Sequence, residues 1–193
     1  MENNIGKNNM TRKITIIGIL TALTAVLAMI KIPIASTTTI TLVLPVVVIG
    51  AALFGPFVGA WLTVIPNIIA FGEAGIFLVE SPAGCVATLL LKGILAGFAA
   101  GAFYKLLSAK HPTGAVICAA VLTPVINTGV FLLGCYLFIW DKLIALAGEN
   151  GIGIGMLIVG MVVINFVIEL VLNLVLCPTI LRIIHILARK KEN

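Results

Sequence analysis

IPIASTTTITLVLPVVVIGAALFGPFVGAWLTVIPNIIAFG, residues 32–72, runs for 41 residues without a charged side chain. A helix crosses the hydrocarbon core of a bilayer in about 20 residues, with a range of about 17–25, so this stretch is too long for one span. Gly55-Pro56 falls near its middle, a turn signal in which the proline opens a helix more readily than it continues one. The reading is two helices, one ending near Phe54 and one running from about Phe57 to Phe71. Pro45 stands where the first of them should have its opening turn.

Working outward, Ile14 to Ile30 is 17 residues without a charge, closed by Lys31. Basic Arg12 and Lys13 precede it, and small Ala35 and Ser36 follow. Its apolar core is longer than the roughly 7–15 residues of a signal peptide, and a strongly apolar chain continues beyond it, so it reads as a retained helix. Downstream, Ala83–Tyr104 carries only Lys92, Thr113–Trp140 carries no charge, and Ile152–Leu181 carries only Glu169. The expected fold class is therefore all-α: an integral membrane bundle of six transmembrane helices. The spans fall at about 13–30, 41–54, 57–72, 83–105, 113–140 and 152–181. Residues 1–12 form an N-terminal tail, 13–188 the membrane domain and 189–193 a basic tail. Composition agrees. The chain is 61% hydrophobic and only 10% charged, whereas a soluble domain carries roughly 25% charged residues.

Basic residues orient the bundle, because cytoplasmic segments of membrane proteins are enriched in Lys and Arg. With both ends inside, the inner segments hold Lys7, Arg12, Lys13, Lys105, Lys110, Arg182, Arg189, Lys190 and Lys191; the outer ones hold Lys31 and Lys142. An N-in/C-in, multi-pass protein of a bacterial cell (plasma) membrane is expected. No basic run is interleaved with exposed aromatics, so no nucleic-acid partner is expected. Cys85, Cys118, Cys135 and Cys177 stand singly in apolar stretches and read as packing residues, with no metal site.

Charged and amide side chains inside spans are the informative exceptions. An ionised group near the bilayer centre costs about 2.5–3.5 kcal/mol on insertion scales and needs a partner, a cavity or a ligand. Lys92 falls in the outer half of the fourth span and Glu169 near the middle of the sixth. Asn165, Glu169 and Asn173 share one helical face at i, i+4 and i+8. Asn127 and Tyr136 lie on the fifth span, and Asn67 follows Pro66 on the third. Two readings stay open: a Lys92–Glu169 ion pair with amide glue between helices, or a polar cavity open to the outside. In the cavity reading, Lys92, Asn67, Asn127, Asn165, Glu169 and Tyr136 bind a ligand, with Lys92 holding an anionic group. The β-branched, Pro-containing segment Lys31–Thr41 disfavours helix. It reads as an extended lid (Ser36, Thr37, Thr38, Thr39) or a plain connector, and so does the loop Gly72–Pro82 with Glu73 and Glu80. Small residues at four-residue spacing (Gly93, Gly97, Gly101; Gly55, Gly59) read as close packing between helices.

Several chemistries lack their residues. No GxxxxGK[ST] phosphate loop is present, so no ATP hydrolysis by this chain is expected. GxSxG, HExxH and paired membrane aspartates are absent too, so no catalytic residue is assigned. The two histidines, His111 and His185, fall at the cytoplasmic edge.

Four stretches in this order carry a resemblance: ITIIGILTALTAVLAMIKIPI, VIGAALFGPFVGAW, LLLKGILAGFAAGAFYKLL and TPVINTGVFLLGCYLF. Together they resemble the substrate-binding (S) component of energy-coupling-factor vitamin transporters over nearly the whole chain. The resemblance implies a six-helix subunit that binds a vitamin or metal near the outer face. Its implied partners are a transmembrane T subunit and two cytoplasmic ATPases, which use the ATP; this chain itself holds no cofactor. It also implies a first-helix face for the T subunit, at Gly18, Ala22 and Ala25. A basic residue in an amide-rich site suits a carboxylate-bearing vitamin, with pantothenate favoured over niacin and folate. Two alternatives remain, a membrane enzyme acting on lipid or isoprenoid groups and a ligand-free structural subunit.

Overall fold

The computed structural model of the protein describes residues 2–30, 32–35, 38–40, 42–72 and 74–192. Helix α1 (Glu2–Met29) is followed by a two-stranded antiparallel hairpin, β1 (Ile32–Ala35) and β2 (Thr38–Ile40). Then come α2 (Val43–Phe54), α3 (Pro56–Phe71), the short α4 (Ile76–Glu80), α5 (Pro82–Ser108), α6 (Pro112–Phe138) and α7 (Trp140–Glu149). Helix α8 (Ile154–Ile158) passes through a π-helical turn (Val159–Val163) into α9 (Ile164–Glu192).

Four helical stretches are long and apolar enough to cross a membrane: Met10–Met29, Pro82–Ser108, Pro112–Phe138 and Ile154–Ile183. Helices α2 and α3 are as apolar but hold 12 and 16 residues. At 1.5 Å per residue each is shorter than a bilayer core of roughly 30 Å. The turn between them is made as Gly55-Pro56 predicts. Gly55 has φ +94°, a left-handed value that favours glycine, and Pro56 takes the first position of α3. The Gly55 N–H donates to the Ala51 carbonyl at 2.9 Å, closing α2.

Helix α5 is central, packed antiparallel against α3 on one side and α6 on the other. Gly97 lies on the backbone of Gly59, and Gly101 on Pro56; a methyl group at Gly97 would overlap the Gly59 carbonyl. The small-residue stripe of α5 is thus spent inside the chain. Against α6, Thr88 sits over Gly134 and Phe138 over Gly84. Helix α1 lies at the edge on α2 and α3, burying Thr24 and Ala28 and leaving Gly18, Ala22 and Val26 exposed.

Two main apolar clusters fill the bundle. One, toward the Gly55 turn, joins Val48, Ile49, Ala100, Val116, Ala120, Cys177 and Ile180. The other, toward the hairpin end, joins Phe77, Cys85, Leu89, Cys135, Ile139, Leu143 and Leu157. Three of the cysteines are therefore buried packing residues, and all four are free. Along α5, α6 and α9 the stretch between the clusters carries Lys92, Asn127, Asn165, Glu169 and Asn173.

The bundle itself is helical, and the Pro33-containing, β-branched segment after α1, read as extended, pairs with itself in a short hairpin. Several expectations need correction. The fifth long helix ends at Phe138 rather than Trp140: at Ile139 the backbone leaves helical geometry (φ −137°, ψ 15°). Trp140 instead opens α7, in a segment read as connector, which buries Leu143 and Ala147. The loop 72–82 holds α4, with Phe77 buried. Helix α9 runs through Pro178 to Glu192, so the basic tail continues the last helix.

Candidate functional site

Lys92 projects from α5 toward α6, with its Nζ 4.9 Å from the centroid of the Phe131 ring. This cation–π contact is worth about 0.5–2 kcal/mol. Glu169, on α9, is 8% exposed. The two charges act on each other, but no direct ion pair joins them. The first reading offered above, a closed Lys92–Glu169 bridge, is not what the side chains form.

Asn67 stands on α3 one turn before its end, beside Pro66, and its amide lies directly over Gly93. Only a glycine there leaves room for it, and the Asn67 Nδ2 is buried without a hydrogen-bond acceptor. Asn127 is partly buried on the inward face of α6, one turn below Phe131 and one above the buried Thr123. Asn165 lies one turn before Glu169 on the same face of α9. Asn173, fully buried, donates Nδ2 to the Ala120 carbonyl of α6 at 3.2 Å.

Toward the hairpin end the polar layer is bordered by an apolar cavity of about 60 Å³. Phe77 of α4, Phe131 and Cys135 of α6, Leu143 of α7, Leu157 of α8 and Val162 of the π turn line it. It shares Phe131 and Cys135 with the surroundings of Lys92. Strand β2 lies alongside the π turn and α9.

The structure thus gathers Lys92, Asn67, Asn127, Asn165 and Glu169 into one layer. Tyr136 does not join them. It follows Cys135 by one residue, about 100° round the helix, so it is exposed and stacks edge-on with Trp140 at 5.3 Å. It lines a separate open groove of about 390 Å³ at the α6–α7 bend, where Lys142 bridges Glu80 at 3.1 Å. Of the lid residues, Ser36 and Thr37 lie outside the described residues, as do Lys31 and Glu73, while Thr38 and Thr39 are in β2. Gly18 has nothing within 4 Å of where a Cβ would be, Ala22 is exposed and Ala25 partly buried. Sequence reasoning missed Phe131; its only signal was the i+4 spacing that puts it on one face with Asn127 and Cys135.

Central helix α5 thus carries a half-buried lysine and packs through glycines on an antiparallel neighbour. The family described as "ECF transporter, substrate-specific component" matches residues 12–181. The chain belongs to this family. No curated protein and no solved structure gives a match. This S component is a multi-pass cell-membrane protein, the substrate-specific membrane subunit of an ECF importer, and a transport subunit rather than an enzyme. Membership implies association with T and ATPase subunits.

Proposed function

We propose that this S component captures a carboxylate-bearing vitamin, pantothenate first among the candidates, from outside the cell. All six apolar helices cross or enter the membrane with both chain ends in the cytoplasm. Pairing α2 with α3 through the Gly55 turn returns the chain to the hairpin side, and the bias of basic residues sets that side outside. The T subunit takes the open Gly18–Ala22 face of α1, and the partner ATPases hydrolyse the ATP; this chain needs no cofactor.

The observation that carries the reading is Lys92. It is a cation within the membrane-spanning bundle, held by an aromatic face and with no carboxylate among the described residues in ion-pair contact. A cation–π contact of about 0.5–2 kcal/mol offsets only part of an insertion cost of about 2.5–3.5 kcal/mol. An anionic group on the ligand supplies the remainder. The adjoining cavity, at about 60 Å³, is far below the roughly 300 Å³ of small-ligand pockets. Loading therefore requires the hairpin-end elements to part.

Thermal shift of the purified protein against pantothenate, nicotinate, folate and thiamine tests this. A ligand at 100 times its Kd adds about 2.7 kcal/mol. A shift with one of the acids that disappears in Lys92→Met supports the reading. A shift with thiamine alone, or an acid shift unchanged in Lys92→Met, overturns it.

A further inference from the structure

Asn165, Glu169 and Asn173 form a line along one face of α9, spaced by about 6 Å per step. Asn173 gives an N–H to the Ala120 carbonyl, which fixes its amide: turned round, it would set its oxygen against that carbonyl. Asn165 Oδ1, Glu169 Oε2 and Asn173 Oδ1 are buried, and none has a hydrogen-bond partner among the described residues. This face of α9 therefore holds three buried oxygens without a donor.

The apolar cavity ends one helical turn short of this line, at Met161. Its α8–π wall includes Leu157 and Val162, five residues apart across the π turn, and Met161, one helical turn before Asn165. A five-residue step rotates the following helix relative to a continuous α-helix, and π turns of this kind gather at functional sites. After that step the buried positions Glu169, Asn173 and Cys177 follow at four-residue spacing. The opposite wall ends at Phe131, whose face holds Lys92. The cavity thus borders, through Phe131, the ring that holds Lys92 and, through Met161, the turn that precedes Asn165.

We infer that the ligand is bipolar, carrying an acid group for Lys92 and hydrogen-bond donors, hydroxyl or amide N–H, for the oxygens of Asn165, Glu169 and Asn173. This rests on the Lys92 reading above and adds what the far end of the ligand must be.

The test compares two acids on the purified full chain in detergent, by calorimetric titration. One is pantothenate; the other is N-(3,3-dimethylbutanoyl)-β-alanine, the same carbon skeleton without the two hydroxyl groups. The expected result is at least about tenfold tighter binding of pantothenate, because a site built of buried acceptors rejects an analogue that leaves them unpaired. Glu169→Gln, which turns one acceptor into a donor while keeping the side chain's shape, should shrink that ratio. Lys92→Met should abolish binding of both acids. Equal or tighter binding of the hydroxyl-free acid to the wild-type protein overturns the inference without recourse to any variant, as does nicotinate binding in preference to pantothenate. In either case, loss of acid binding in Lys92→Met leaves the carboxylate reading standing. If no acid binds, both fall. Should sodium chloride, relative to choline chloride, stabilise the unliganded protein in a way that Glu169→Gln removes, the oxygens serve a cation and the inference also falls.

Discussion

Replacing Lys92 with methionine separates a binding site from a structural ion pair by the sign of its effect on stability. The lysine ammonium touches the Phe131 ring at 4.9 Å and has no carboxylate among the described residues in ion-pair contact. Removing it eliminates an insertion cost of about 2.5–3.5 kcal/mol at the bilayer centre, less toward the interface. It forfeits about 0.5–2 kcal/mol of cation–π attraction and the longer-range attraction to Glu169. Methionine fills the same slot with a flexible apolar chain. The balance is a stabilisation of about 1 kcal/mol, or roughly 2–4 °C in Tm for a chain of this size. Were Lys92 one half of a buried structural pair, deleting it would instead strand Glu169 and cost about 3–5 kcal/mol. The assay is thermal unfolding in detergent with and without pantothenate. A variant that melts higher alone and no longer responds to the acid matches the argument. One that melts lower by 3 kcal/mol or more refutes it, because the lysine would then be holding the fold together.

Gly97→Ala should lower stability by about 1–2 kcal/mol, the overlap with the Gly59 backbone exceeding the gain of roughly 1 kcal/mol in helix propensity. Gly129→Ala, with nothing within 4 Å of its new methyl, should instead raise it by about 0.5–1 kcal/mol, and the two melting curves should move in opposite directions. Ala22→Trp, on the exposed face of α1, should leave the melting temperature within about 1 °C of wild type yet reduce co-purification with the T subunit; undiminished co-purification would move the docking face elsewhere. Lys142→Ala breaks a bridge whose side chains are 49% and 36% exposed, so its cost should stay below about 1 kcal/mol.

Much of the bundle was legible because the bilayer imposes a length on apolar stretches. The Gly55-Pro56 turn is where residues 32–72 divide, since a left-handed backbone position followed by a fixed φ leaves the chain few alternatives. The edges were less legible. Helix α7 was hidden because its buried positions, Leu143 and Ala147, are few, and because Asp141 and Lys142 open it as a solvated connector would. The end of α6 at Phe138 rather than Trp140 is a backbone deviation at Ile139, and isoleucine carries no break signal.

The site divides along the same line between local pattern and tertiary arrangement. That Lys92 and Glu169 needed explaining follows from the cost of charge in lipid, which is a property of residue type and position. What answers Lys92 is tertiary and unreadable from spacing: the aromatic face of Phe131 on α6. Tyr136 illustrates the difference, since one residue of helix rotation carries it from the layer to the surface. The π turn illustrates it more strongly. No residue among Val159, Gly160, Met161, Val162 and Val163 announces an extra step. A strict 3.6-residue reading nonetheless gives the buried positions before and after them different phases. The extra residue lets Leu157 and Val162, five positions apart, both line the apolar cavity while Asn173 still reaches α6.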